Sequence, residues 1–197
     1  MTAGRETAAQ DWPALSARML GCTACPELAA TRTQVVPGVC PPRSRLMLVG
    51  EAPGATEDEL GVPFVGRAGQ LLDTVLQEVG LARSTAAVVN VLKCRPPGNR
   101  KPARLELAAC RHWLTRQIEL ADPALVVGLG GTAAEWFLGR GVRLGASRGV
   151  VHTVNGRAVV VTYHPSAALR FGPAGAPMAG LREDLALVAD LLAAMAA

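Results

Sequence analysis

Short apolar runs alternate along the chain with longer stretches of helical period. Residues 45–50 (RLMLVG), 87–92 (AVVNVL) and 124–129 (ALVVGL) are brief, Val- and Leu-rich segments that read as buried strands. Between them, residues 68–79 place Leu71, Leu72, Val75, Leu76 and Val79 on one helical face, and residues 105–120 repeat with the same period. Gly130 and Gly131 open a further helix that runs to Leu138. Residues 150–154 and 157–163 predict a hairpin turning at Asn155-Gly156, a strong turn dipeptide. His164-Pro165-Ser166 begins a short helix, because proline suits a first helical position. Residues 181–195 close the chain as a helix, and residues 1–20 form a leader helix ahead of a core that starts near residue 21. Strands separated by helices build a mainly parallel sheet covered on both faces, a three-layer α/β/α sandwich. Loops leaving the C-terminal strand ends then carry the active site. The 197 residues suffice for one such domain and are too few for two.

Composition agrees: half the residues are apolar, only 4% are aromatic, and Ala and Gly are abundant. The first residues carry Arg5, Glu6 and Asp11 without a long apolar run, which argues against a signal peptide. No stretch reaches the roughly 18 uninterrupted apolar residues of a membrane span. A soluble, cytoplasmic protein is expected. The net charge of +4 is modest but unevenly spread. No acid occurs from Trp136 to Arg182, where Arg140, Arg143, Arg148, Arg157 and Arg170 also lie. Lys93, Arg95, Arg100, Lys101 and Arg104 form a second acid-free cluster. Basic surface of one sign attracts a nucleic-acid backbone. A merely solvated arginine-rich surface accounts for the same charges, since only Lys93 and Lys101 are lysines.

Five cysteines in a cytoplasmic chain do not suggest a disulfide framework. Cys22 and Cys25 form a CxxC pair, and Cys94 and Cys110 follow with fifteen residues between them. Three such segments can converge on one soft-metal site, where thiolates suit zinc or an iron–sulfur cluster. Scattered buried thiols would give the same count, and spacing does not choose between the metals. Cys40 fits no ligand pairing.

The strand ends carry the chemistry. Gly50-Glu51-Ala52-Pro53-Gly54 sets a carboxylate at the rim of the first strand, with backbone N–H groups free beside it. Pro63-Phe64-Val65-Gly66 adds an aromatic, Asn90 an amide near the end of the second strand, and Tyr163-His164-Pro165-Ser166 an imidazole after the last. Each has a plainer reading: Glu51 as a turn cap, Phe64 as core, Asn90 as a turn former, His164 as a helix N-cap. Together they suit a planar, hydrogen-bonding ligand of nucleobase type.

These segments resemble a known family. GEAPG at 50–54, GVPFVGRAGQLL at 61–72, NVLKCRPPGNRKP at 90–102 and TYHPSAALR at 162–170, with the four-cysteine pattern, are similar to the signature blocks of family 4 uracil-DNA glycosylases. The resemblance runs from about Gly21 to the C-terminus. It implies an α/β/α sandwich, excision of uracil from single- or double-stranded DNA, a structural [4Fe–4S] cluster on Cys22, Cys25, Cys94 and Cys110, and no nucleotide cofactor. By the same resemblance Glu51 assists the hydrolytic water, Phe64 stacks on the flipped uracil, Asn90 reads its polar edge and His164 lies next to uracil O2. Glu57 matches an acid near the pocket. Ala52 contributes a backbone N–H for the charge developing on the base. Lys93, Arg95, Arg100 and Lys101, with Ser166 and Arg170 after the last strand, are expected to hold DNA phosphates, and the protein is expected to act as a monomer.

Three other readings compete. Gly128-Leu129-Gly130-Gly131-Thr132-Ala133 partly fits a dinucleotide-binding turn, but it follows the third strand and no acid occurs about 20 residues later. A zinc-stapled DNA-binding module would use the same four cysteines without catalysis. The superfamily relative that traps itself on the abasic sugar resembles this chain, but it has a longer, histidine-bearing loop after the second strand and Gln after the motif Glu. Here residues 96–102 are short and lack His, and Ala52 follows Glu51.

Overall fold

A computed structural model describes residues 3–196, with side chains from residue 11 onward. In chain order the elements are α1 (Ala3–Leu20), α2 (Pro26–Thr31), β1 (Leu46–Gly50), α3 (Ala55–Leu60), α4 (Arg67–Glu78), β2 (Ala86–Asn90), α5 (Arg104–Ala121), β3 (Leu125–Leu129), α6 (Gly131–Leu138), α7 (Leu144–Ser147), β4 (Val151–Val154), β5 (Arg157–Thr162), α8 (Pro165–Phe171) and α9 (Ala176–Ala194). The strands form one sheet in the order β2-β1-β3-β5-β4, parallel except for β4, which pairs antiparallel with β5.

Alternation along β1 explains the three layers. Met47 and Val49 face a core built with Trp12, Leu15 and Met19 of α1 and Leu114 of α5. Leu46 and Leu48 face the opposite core, with Leu72, Val75 and Leu76 of α4 and Leu181, Leu185 and Val188 of α9. All five β1 residues are buried, as a strand covered on both faces requires.

The chain leaves β1 towards β2 on one side and later returns to place β3 on the other. The carboxyl ends of β1 and β3 therefore flank a topological switch point, where open α/β sheets form their ligand crevice. Several boundaries differ from the expectation. The six-residue helices α2 and α3 are too short to show a period. Strand β2 ends at Asn90, and Val91 and Leu92 instead donate their N–H groups to the carbonyls of Gly50 and Glu51, both at 2.9 Å. Helix α9 begins at Ala176 because Pro177 fits its first turn, ahead of the apolar run from Leu181. Among the described residues no helix is long and apolar enough to cross a membrane.

Candidate active site

Gly50, the last residue of β1, lies directly opposite Asn90, the last residue of β2. The phenyl ring of Phe64 and the Asn90 amide both close onto Gly50. A Cβ there would sit 2.5 Å from Phe64 Cζ and closer still to Asn90 Oδ1. Glycine is what lets strand, aromatic and amide meet. One cavity at this point is lined by Glu51, Ala52, Phe64, Asn90, His164 and Ser166, and Glu57 also borders it.

The side chains around the cavity are held in different ways. Thr132, delivered by the Gly130-Gly131 turn at the start of α6, donates its hydroxyl to Glu51 Oε2. This contact spans the switch point. Asn90 is buried, and among the described residues its Oδ1 has no partner, so it stands as an orphan acceptor in the pocket wall. The half-buried His164 caps α8, its Nδ1 accepting the Ser166 N–H at 3.1 Å. The neutral ring therefore carries its proton on Nε2. Burial pushes the imidazole pKa down to about 4, against a weaker upward pull from the Glu57 carboxylate. Its ring centroid lies 5.7 Å from that of Phe64.

Glu57 holds backbone and has no oxygen free of it. Oε2 accepts from Gly54 N at 3.1 Å, and Oε1 accepts from Val65 N at 3.0 Å and Gly66 N at 2.8 Å. The carboxylate thereby caps α3 and joins the 50–54 turn to the 63–66 turn. Phe64 occupies the left-handed region at φ 56°. For a non-glycine residue that costs on the order of 1–3 kcal/mol and persists only where surroundings enforce it.

The basic residues part company. Lys93 corrects the expectation of a phosphate contact: it is 1% exposed, and its ammonium donates to Asn90 O at 2.5 Å and to Gln117 Oε1. A lysine sealed behind the second strand does not reach DNA. Burial pulls its pKa down to about 8, opposed by Cys110 and Cys94 nearby. Arg100 lines the cavity but is engaged with Glu106 through two bonds of 2.6 and 3.0 Å, and with Glu27 at 3.3 Å. Arg95 bonds Asn99 Oδ1 at 2.8 Å. Lys101, Ser166 and Arg170 are exposed.

Cys22, Cys25, Cys94 and Cys110 line a second, small cavity together with Arg32, Lys93 and Trp113. Arg32 Nη1 donates to Cys94 Sγ at 3.0 Å, and its Nη2 to Cys22 O at 2.6 Å. The Lys93 N–H points at Cys110 Sγ at 3.3 Å. Burial raises the Cys110 thiol to about 11 and moves Cys94 and Cys25 upward as well. Among the described residues no three His, Cys, Asp or Glu side chains group closely enough to hold a single metal ion. Cys40 lies outside this cavity, near Pro41 and Ser44.

Two residues to which the sequence assigns no role at the pocket matter here. Thr132 holds Glu51 from 81 positions away, and Arg83 donates to the carbonyls of Pro63 and Phe64. Neither carries a local signature. Only the turn before Thr132 was legible.

A family model described as the Uracil DNA glycosylase superfamily matches residues 37–186. The chain is 46% identical to a type-4 uracil-DNA glycosylase of Thermotoga maritima, over 79% of this chain and 82% of that protein. It is 42% identical to a type-4 uracil-DNA glycosylase of Pyrobaculum aerophilum, over 76% of this chain and 80% of the relative. A third type-4 uracil-DNA glycosylase, from Archaeoglobus fulgidus, is 40% identical over 77% and 79% of the two chains. With its pocket at the carboxyl ends of the strands and these relatives over most of its length, the chain belongs to the uracil-DNA glycosylase superfamily and, within it, to the type-4 group.

Proposed function

We propose that the protein is a DNA-repair glycosylase that flips uracil out of DNA and hydrolyses its N-glycosidic bond, leaving an abasic site. The observation that carries this reading is the convergence of Glu51, Phe64, Asn90 and His164 on one cavity in a chain of this family. A base inside a duplex is out of reach, so it must leave the stack and be read in a pocket. Phe64 offers the stacking face. Asn90, with its unpartnered Oδ1, can accept the uracil N3–H while its amide donates to the neighbouring carbonyl. Cleavage of N1–C1′ leaves positive character on the sugar and negative charge on uracil O2. The Nε2–H of His164 and the N–H near Ala52 meet that charge as preorganised donors. Glu51, held by Thr132, orients the water and opposes the sugar cation. Glu57 acts by fixing two turns.

Four cysteines lining one cavity fit a [4Fe–4S] cluster as ligands. The donors from Arg32 and Lys93 offset thiolate charge in a buried place. When bound, the cluster supplies a cross-link between the start of the chain, the segment after β2 and α5. Hydrolysis of a glycosidic bond needs no electron transfer and no nucleotide cofactor, so its role is structural. The enzyme acts as a monomer in the cytoplasm, on single- or double-stranded DNA held by Lys101, Arg95 and Arg170, with Ser166 beside the pocket.

The test is incubation with a labelled oligonucleotide bearing one deoxyuridine, followed by alkali. Breaks at deoxyuridine and none at thymidine or cytidine are expected. Iron-replete protein that leaves every uracil in place overturns the assignment.

A further inference from the structure

The 63–66 turn that carries Phe64 is gripped on both of its polar sides. Glu57 Oε1 takes the N–H groups of Val65 and Gly66. From the other side, Arg83 Nη1 donates to Phe64 O at 2.5 Å and Nη2 donates to Pro63 O. The same guanidinium is anchored on α4, with Nη1 3.3 Å from both Asp73 oxygens. Gly69, also on α4, completes the fit, because any Cβ there would collide with Phe64 O. A residue at φ 56° survives only under such constraint. We propose that Arg83 is the positioning residue that sets the Phe64 ring at the height and tilt at which a flipped base is stacked.

Arginine is required by the geometry. Two adjacent carbonyls and a carboxylate are served by one planar fork, which a lysine ammonium cannot match. The placement is also informative. Arg83 stands on the single turn before β2, and Asn90 ends that strand. The turn leading into one five-residue strand thus carries the support of the stacking face, and the end of that strand carries the edge-reading amide. The ring and the amide that must grip opposite features of one base are referenced to the same rigid element. Asp73 orients the guanidinium while staying clear of the pocket.

The inference rests on the reading of Phe64 as the stacking face, and a double-mutant cycle separates the two. Single-turnover excision rates and melting temperatures are measured for the full-length, iron-replete protein and for Phe64→Ala, Arg83→Lys and the double variant. Arg83→Lys is expected to slow excision by about 10–100-fold, as small misplacements remote from the chemistry do. Affinity for abasic DNA should stay near the starting value. In the Phe64→Ala background the same change should cost little more, since no ring is left to position. Asp73→Asn, a milder change, should lose less rate in the same direction. Full additivity of Phe64→Ala and Arg83→Lys, or an unchanged rate in Arg83→Lys, overturns the positioning role. An unchanged rate in Phe64→Ala instead overturns the stacking reading beneath it.

Discussion

His164 accepts the Ser166 backbone N–H on Nδ1 at 3.1 Å, so one nitrogen caps helix α8 while the other keeps its proton for the pocket. The plain reading of this histidine as an N-cap holds, and the proposed role as a donor is compatible with it because it uses the other nitrogen. The Ser166 hydroxyl, 2.8 Å from the same nitrogen, reinforces the tautomer.

A pH dependence follows. Burial holds the folded imidazole pKa near about 4, whereas an unfolded chain protonates near ~6.5. The stability that His164 contributes is therefore complete above pH ~6.5 and is lost as pH falls towards 4, because the unfolded state binds the proton first. Its donor tautomer persists throughout that window. Nitrogen-15 spectra of the imidazole should show no titration between pH 8 and 5.5, and an inflection near 6.5 contradicts the assignment. His164→Ala should lose about 10²–10³ in single-turnover rate and about 1 kcal/mol of stability from the cap. His164→Asn should recover the cap and the melting temperature without recovering the rate.

The cysteines should separate by iron content. Cys22, Cys25, Cys94 and Cys110 share a cavity, so replacing any one with Ala should bleach absorbance near ~400 nm and lower the melting temperature. Cys40→Ala should leave iron unchanged, since its thiol lies elsewhere. Colourless wild-type protein prepared without oxygen and carrying stoichiometric zinc would establish the zinc alternative.

Legibility followed physical locality. The β1, β2 and β3 strands and the α4 and α5 helices were readable because each buries a periodic face of its own. Glu51, Asn90 and His164 stand out in the sequence because each is a polar residue at or just after the end of an apolar strand. Lys93 misled because a lysine in a basic segment reads as solvated. In the fold it continues the buried run of Val91 and Leu92, and its charge is absorbed by a carbonyl and by Gln117. Thr132 and Arg83 stayed hidden because they act on groups 81 and 19 positions away, and Arg83 binds backbone carbonyls that every sequence possesses. The α2 and α3 helices escaped because six residues make under two turns.

DNA affinity should distinguish the exposed cations from the buried one. Lys101 is 67% exposed in its side chain and only 4.0 Å from Glu135, a weak surface pair. Lys101→Ala and Arg170→Ala should weaken binding equally on uracil-containing and undamaged DNA and flatten the dependence of log K on log salt, as phosphate contacts do. Lys93→Ala should leave that slope unchanged and lower stability, because Gln117 Oε1 and Asn90 O lose a buried donor. Equal affinity at low and high salt for the wild type would remove the basic rim from DNA binding.

The proposed hydrolytic step rests on the pair of Glu51 and Thr132, which are hydrogen-bonded to each other. The Thr132 hydroxyl donates to one carboxylate oxygen, and in the proposed mechanism the second oxygen orients the attacking water. Glu51→Gln keeps size and hydrogen bonding but removes the charge that opposes the sugar cation. A rate loss of about 10²–10³ is expected there, with near-normal affinity for abasic DNA, because the product carries no cation. Thr132→Val removes only the orienting bond and should cost about tenfold, equivalent to ~1.4 kcal/mol of barrier. In the Glu51→Gln background Thr132→Val should cost much less, since the oriented carboxylate is already gone. Excision by Glu51→Gln at the wild-type rate would reduce Glu51 to a residue that shapes the turn. The acid would then be sought on the same turn, where Asp58 is already buried and bonded to the Thr33 N–H at 2.9 Å, and Glu57 is committed to three backbone amides.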